Sequence, residues 1–244
     1  MICVHGGSGR RRGVAGFTLI ELLTVIAIVG ILAAILIPTA TGTRVAANKA
    51  KTRAQYAQWA TAFEAFRQEY GTYPQLHAGG GQMFVNEGAG PDAQQEHLFH
   101  DVLAGRRRDP SAANWLANPP SRTPPAPERQ NFRRIRFLSF GESDFVTEAD
   151  VNAGHNGAGQ LNLLRDAFHN TAIAVVVDRN QDGLINGRDV DGSFPAVTPP
   201  EGAPAIRPTT LLPTGTTGGV RAGVLFYSAP PGAKAEHDLV LSVR

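Results

Sequence analysis

The chain has 244 residues, with 27 glycines and 17 prolines, a length for one ordinary domain plus a long helix and a composition that argues against a compact helical bundle. Its formal charge of +2 comes from 23 Lys+Arg against 21 Asp+Glu, but Arg10, Arg11 and Arg12 lie in an acid-free stretch of residues 1–16, so residues 17–244 hold 20 against 21, a net −1. That balance leaves no nucleic-acid footprint, and with the single cysteine at Cys3, residues 17–244 form no internal disulfide, so packing or a metal must hold the fold.

From Phe17 to Ile37 the stretch "FTLIELLTVIAIVGILAAILI" carries one ionisable residue, Glu21. As a helix it would be roughly 32 Å long, enough to cross a bilayer core. An ordinary secretory signal has a shorter apolar region. A plain membrane anchor accounts for the length but gives no reason for a carboxylate at membrane depth, which costs several kcal/mol unless it is paired. The parts together, Gly16, then "FTLIELL" with Glu21 five residues after the glycine, then "VGILAAILIP", resemble the N-terminus of type IV pilins and pseudopilins.

That resemblance implies cleavage after Gly16 by a prepilin peptidase on the cytoplasmic side and N-methylation of Phe17. It implies a leader over 1–16, a membrane and assembly helix over 17–38, its amphipathic continuation over 39–71 and a periplasmic globular domain over 72–244. Glu21 would pair with the terminal amine of a neighbouring subunit, giving each buried charge a partner. The implied partners are copies of this chain and other pseudopilins, the prepilin peptidase, an inner-membrane assembly platform and membrane lipid, with no nucleic acid. The implied place is the bacterial inner membrane, single-pass, with the C-terminal domain periplasmic. Orientation does not follow from charge alone, because Arg44, Lys49, Lys51 and Arg53 follow the apolar run as Arg10–Arg12 precede it. Gly30 and Pro38 weaken the helix locally, and a break between them is expected in a filament; a close helix contact at Gly30 is the equal alternative.

Beyond the apolar run no proline interrupts 39–70, and Tyr56, Trp59, Phe63, Phe66 and Tyr70 recur at spacings of three and four. This predicts one apolar face of an amphipathic helix, on which a sheet packs, ending near Gly71 in "EYGTYP". Residues 75–134 read as a loop-rich insert. Within it, 91–103 suggests a short helix capped by Asp92. His97 and His100, one turn apart, have metal-ligand spacing but lack a third ligand, and surface or partly buried histidines are expected. "RRRD" at 106–109 is expected to be solvated, and "NPPSRTPPAPE" at 118–128 to be a proline-rich surface loop.

Strand signals follow: "IRFLSF" at 135–140, the β-branched "AIAVVVD" at 172–178, and a hairpin of "AGVLFYS" at 222–228 with "DLVLSV" at 238–243. One helix against three or four antiparallel strands is an α+β fold. After the strongest strand comes "DRNQDGLINGRD", residues 178–189. Side-chain oxygens of Asp178, Asn180, Asp182, Asn186 and Asp189 fall at loop positions one, three, five, nine and twelve, Gly183 sits at six, and the Leu184 carbonyl at seven, the spacing that wraps hard oxygens around one calcium ion. Aspartate replaces the usual glutamate at the twelfth position, Asp191 is an alternative ligand there, and a strand stands where a helix would precede. A metal-free Asp/Asn/Gly turn is the competing reading. A structural Ca2+ suits a chain with no disulfide. The turn Asp166, Phe168, Asn170 ahead of the strand also resembles, loosely, the C-terminal half of major type II secretion pseudopilins. No nucleophile–base pair, phosphate loop or zinc motif suggests an enzyme.

Overall fold

The computed structural model describes residues 17–76, 84–86, 97–108, 127–186, 194–209 and 219–243, with only the backbone at 36–41. Two units divide the chain, residues 1–46 and 47–244. Helix α1, Leu19–Tyr70, belongs in its first part to one unit and in its remainder to the other. It is assigned without interruption across Gly30 and Pro38, so the break expected between them is not present in the single subunit. It stops where the sequence predicts, at Gly71, whose φ of +76° places it in the left-handed region that ends helices.

In the larger unit the aromatic stripe is the core. Tyr56, Trp59, Phe63 and Phe66 are fully or almost fully buried, and the sheet meets them as expected. Strands β1 (Ala174–Val177), β2 (Val224–Ser228) and β3 (Val240–Leu241) form one antiparallel sheet in the order β1-β2-β3, with Ala174 opposite Tyr227 and Val177 opposite Val224. Phe226 of β2 places its ring 5.3–6.1 Å from those of Tyr56, Trp59, Phe63 and Phe99, the range in which tilted and edge-on aromatic pairs attract.

The sheet is buried on both faces. Val175, Val177, Val224 and Phe226 pack with the helix, whereas Ala174, Val176, Leu225 and Tyr227 pack with Ile185, Phe194, Val197, Ile206 and Leu239. An uninterrupted run of apolar residues in β1, rather than alternation, is what burial on two faces requires. The second layer comes from the long β1–β2 connection and from the segment after β2, which supplies Leu239, and was not expected from the sequence.

Several local expectations are corrected. Helix α2 is Leu98–Ala104, capped by the side chain of His97, not by Asp92; Asp92 lies outside the described residues. Leu98, Phe99, Val102 and Leu103 are core residues, so this part of the 75–134 segment is integral to the fold. Gly105 closes α2 at φ +65°, and a Cβ there would lie 2.7 Å from the Arg134 carbonyl, a position only glycine fills. Residues 135–140 are not a strand. Their backbone groups are spent elsewhere: Phe137 N and Leu138 N both donate to Leu103 O, while the Asn131 amide takes Ile135 N and gives to Ile135 O and Val102 O. Of "RRRD", Arg106 is exposed as expected and Asp109 lies outside the described residues, but Arg107 and Arg108 are not solvated. Arg107 pairs with buried Glu128, and Arg108 lies 3.5 Å over the Phe145 ring while donating to Asn162; between them and Pro127–Gln130 (α3), the proline-rich residues 118–126 lie outside the described residues.

A buried polar knot joins the turn before β1 to the sheet. Asp166 Oδ1 accepts from Phe168 N (2.8 Å) and Asn170 N (2.9 Å), and Oδ2 accepts from Ser228 Oγ (2.6 Å). Asn170 donates to Thr198 O and Ala229 O. Burial pushes the Asp166 carboxyl up to about 6, more than its three donors and Arg165 pull it down. An unfolded aspartate titrates near 3.9, so between those values the folded state holds a proton that the unfolded state releases. Stability is then highest below about pH 4 on this account and falls by about 3 kcal/mol as pH rises to and through 6. Asp166→Asn keeps an oxygen toward the two amides and turns an NH2 toward Ser228 Oγ. Urea melts of the two proteins at stepped pH should show this downward slope in the wild type alone; parallel profiles would contradict the assignment.

Candidate assembly segment and candidate metal loop

Gly16, at the proposed cleavage point, lies outside the described residues. Phe17 and Glu21 are described, and both are exposed. Phe17 is 78% exposed, and Leu19, Ile20, Leu22, Leu23, Val25 and Ile26 follow at more than half exposed each. An apolar surface of this extent on a water-facing helix would be a strong association or membrane signal. Among the described residues, no helix is long and apolar enough to cross a membrane; the described side chains of the run end at Ile35.

Glu21 is tied to its own helix start. Thr18 N and Thr18 Oγ1 donate to Glu21 Oε2 at 2.9 and 2.7 Å, and Glu21 N donates back to Thr18 Oγ1 at 3.3 Å. This is a reciprocal capping box, in which a threonine and a glutamate three residues on satisfy each other's free backbone donors. The carboxylate therefore has partners within one subunit, at the end of the helix where the backbone dipole favours negative charge. Thr18 was missed as a site residue, although the spacing T-x-x-E before an apolar run was there to read.

In the loop after β1, Asp178, Asn180 and Asp182 bond to one another and to the loop's own backbone. Asp178 is 3% exposed; its Oδ1 accepts from Asp182 N (3.2 Å) and its Oδ2 from Gly183 N (2.7 Å). Asn180 Oδ1 accepts from the same Asp182 N at 3.3 Å, so the oxygens of Asp178 and Asn180 converge on one point. Asp182 Oδ1 accepts from Leu184 N (2.8 Å), and its Oδ2 accepts from Asn180 Nδ2 (2.9 Å). Gly183, at φ +85°, makes the sharp bend that the spacing calls for. Paired bonds between Ile185 and Val220 then close the loop's exit.

Asn186 is described, whereas Asp189 and Asp191 lie outside the described residues. Among the described residues, no three His, Cys, Asp or Glu side chains are grouped to hold a metal. The oxygens that do converge come from one carboxylate, Asp178, and one amide, Asn180, hard donors of the kind calcium takes.

The histidines fall away from metal chemistry. Both are buried rather than at the surface: His97 is 0% exposed and His100 4%. His97 Nε2 lies 3.0 Å from Asn86 Oδ1, which makes it the donor, and its Nδ1 accepts from His100 N. Burial holds the His97 ring neutral, pushed down to about 3. His100 Nδ1 meets Asp101 Oδ1 at 2.9 Å. Both nitrogens of His97 are engaged, so the pair with His100 is a core feature.

Compared with known protein families, residues 11–37 match the family model described as the prokaryotic N-terminal methylation motif. The matched span contains Gly16, Phe17 and Glu21. No curated protein and no solved structure matches the chain significantly.

Proposed function

We propose, from a type IV pilin-like N-terminus that carries the methylation motif, that the chain is a pseudopilin subunit of a type II secretion-like system. The observation that carries this reading is the motif itself, placed on an exposed apolar helix whose first turn presents Glu21. In this reading prepilin peptidase cuts after Gly16 and Phe17 becomes the N-methylated terminus. The subunit waits in the inner membrane with its globular unit in the periplasm and then joins a short filament through α1. The filament's growth displaces cargo outward, driven by the assembly platform; the chain performs no catalysis. A type IV pilus subunit shares every one of these steps up to the filament's destination. Gly16→Leu puts a branched side chain where the peptidase must approach the backbone. It should leave only precursor-sized protein on a gel of membrane fractions; cleavage at the wild-type rate would refute the processing step.

The loop at 178–189 is proposed to hold a structural Ca2+ through Asp178, Asn180, Asp182, the Leu184 carbonyl, Asn186 and Asp189. Support comes from the spacing and from the convergence of Asp178 and Asn180 on one N–H. Binding that favours the folded state adds about 2.7 kcal/mol at roughly 100 times Kd, several degrees in melting temperature for a domain of this size. In full-length protein held in a neutral detergent, EGTA should lower the melting temperature by that amount and calcium, but not magnesium, should restore it. An unchanged melt would remove the metal from the account.

A further inference from the structure

In the larger unit a cleft of about 520 Å³ lies between α1, the segment at 143–144 and the turn at 165–169, within the size range of small-ligand sites. Its walls are tied to its floor. Gln55 Nε2 of α1 donates to Arg165 O (3.0 Å), Ala167 N donates to Thr52 Oγ1 (3.3 Å), and Arg165 N donates to Asp144 O (2.9 Å). The floor is anchored in turn by the polar knot of Asp166. A cleft bonded on both sides need not be assembled when a ligand arrives, which removes part of the ordering cost of binding.

The polar groups around the cleft divide into committed and free ones. Arg165 is committed: its Nε donates to Phe145 O, its Nη2 lies 3.4 Å from Asp150 Oδ2, and its Nη1 lies 2.6 Å from His169 Nδ1. His169 Nδ1 is held between that guanidinium and Asp150 Oδ1, 3.1 Å away, and His155 stacks on the ring at 4.3 Å. Burial, Arg165 and His155 hold this histidine below its usual value, so the ring is neutral at neutral pH. Its backbone sits at φ +62°, a conformation that a bulky residue keeps only where its surroundings enforce it. On the α1 wall, Asn48, Lys51 and Gln58 bond to no described residue. On the facing wall, Asp144 spends one oxygen on Gly141 N (2.7 Å) and keeps the other free. Lys51 and Asp144 thus stand on separate walls and do not pair with each other.

We propose that this cleft binds a short zwitterionic peptide, its carboxylate on Lys51, its ammonium on Asp144 and its peptide groups on the amides of Asn48 and Gln58. The charge pattern selects the class. One unspent cation and one unspent carboxylate on separate walls complement a ligand that carries both charges at its ends, and hydrogen bonds between charged groups are about twice as strong as neutral ones. A simple anion would face the Asp144 carboxylate, and a simple cation the Lys51 ammonium, like-charge contacts that select against both. A neutral sugar would leave both charges unused. Side-chain amides offer an N–H donor and a C=O acceptor, the complement of a peptide bond. This goes beyond the assembly reading and uses residues that the N-terminal motif does not touch.

The test is isothermal titration calorimetry of full-length protein in neutral detergent, with triglycine, N-acetyl-triglycine and triglycinamide as probes. Triglycine should bind saturably, and each capped probe, which lacks one terminal charge, about tenfold more weakly. Lys51→Ala should bind triglycine about tenfold more weakly and no longer distinguish it from triglycinamide. Asp144→Asn, whose side-chain oxygen still accepts from Gly141 N, should no longer distinguish triglycine from N-acetyl-triglycine. Both variants should melt and be cleaved at Gly16 like wild type, which keeps this result separate from failure of the assembly reading. The proposal is overturned if triglycine does not bind at millimolar concentration, or if either capped probe binds wild type as tightly as triglycine does. It is equally overturned if Lys51→Ala and Asp144→Asn bind all three probes as wild type does.

Discussion

Replacing Phe226 with alanine should cost the larger unit about 3–5 kcal/mol, the range for deleting a buried aromatic side chain. Phe226 is fully buried and is the one residue of the sheet whose ring reaches Tyr56, Trp59 and Phe63 of α1 together with Phe99 of α2. Removing it therefore strips a partner from four rings at once, and helix, sheet and α2 cannot all close on the space left behind. A unit of this size reads roughly 2–4 °C per kcal/mol, so the melting temperature should fall by about 10 °C. Phe132→Ala supplies the contrast: an exposed ring of the same chemistry should change stability by less than about 0.5 kcal/mol. Equal losses in the two variants would show that the stripe is not the keystone of the core.

Glu21→Ala should abolish incorporation into filaments. The capping box complicates the usual reading of such a variant, because Glu21 also anchors the first turn through Thr18. Loss of that cap alone costs about 1 kcal/mol of helix stability, too little to stop assembly. Glu21→Gln separates the two roles: glutamine still serves the capping box but offers a neighbour's terminal amine no charge. Both variants should be processed and found in the membrane, and both should be missing from sheared filaments. If Glu21→Gln assembles like wild type, the carboxylate acts as a cap and not as the partner of a neighbouring amine.

The parts of this fold that could be read from sequence are those with a short-range cause. Aromatic spacing of three and four fixed the buried face of α1 from Tyr56 to Phe66, and the β-branched run of Ala174–Val177 marked β1. Elements whose boundaries depend on distant partners were misread. Residues 135–140 have strand composition, yet their donors go to Leu103 and to the amide of Asn131, 29 residues from Val102, with which that amide also bonds. The arginines at 107 and 108 look solvated until Glu128 and the Phe145 ring are placed beside them. His97 caps α2 with a ring nitrogen, a role that sequence preference gives to serine, threonine or aspartate.

The site divides in the same way. The N-terminal segment was legible as a motif, because Gly16, Phe17 and Glu21 stand at fixed spacing along one stretch, and the family match covers residues 11–37 alone. The proposed metal loop rests on spacing, and of its side-chain oxygens those of Asp178 and Asn180 meet at one backbone N–H. The contact of Tyr70 with Phe132 was not legible, since the two rings come together only where α1 meets the turn after α3.

The central claim is that the first 16 residues are a leader and that Phe17 is the working N-terminus. Mass spectrometry of the protein purified from membranes of a host carrying its assembly machinery tests this directly. The N-terminal peptide should begin at Phe17 and carry one added methyl group, with none beginning at Met1. An intact leader, or a cut elsewhere than after Gly16, would contradict the account.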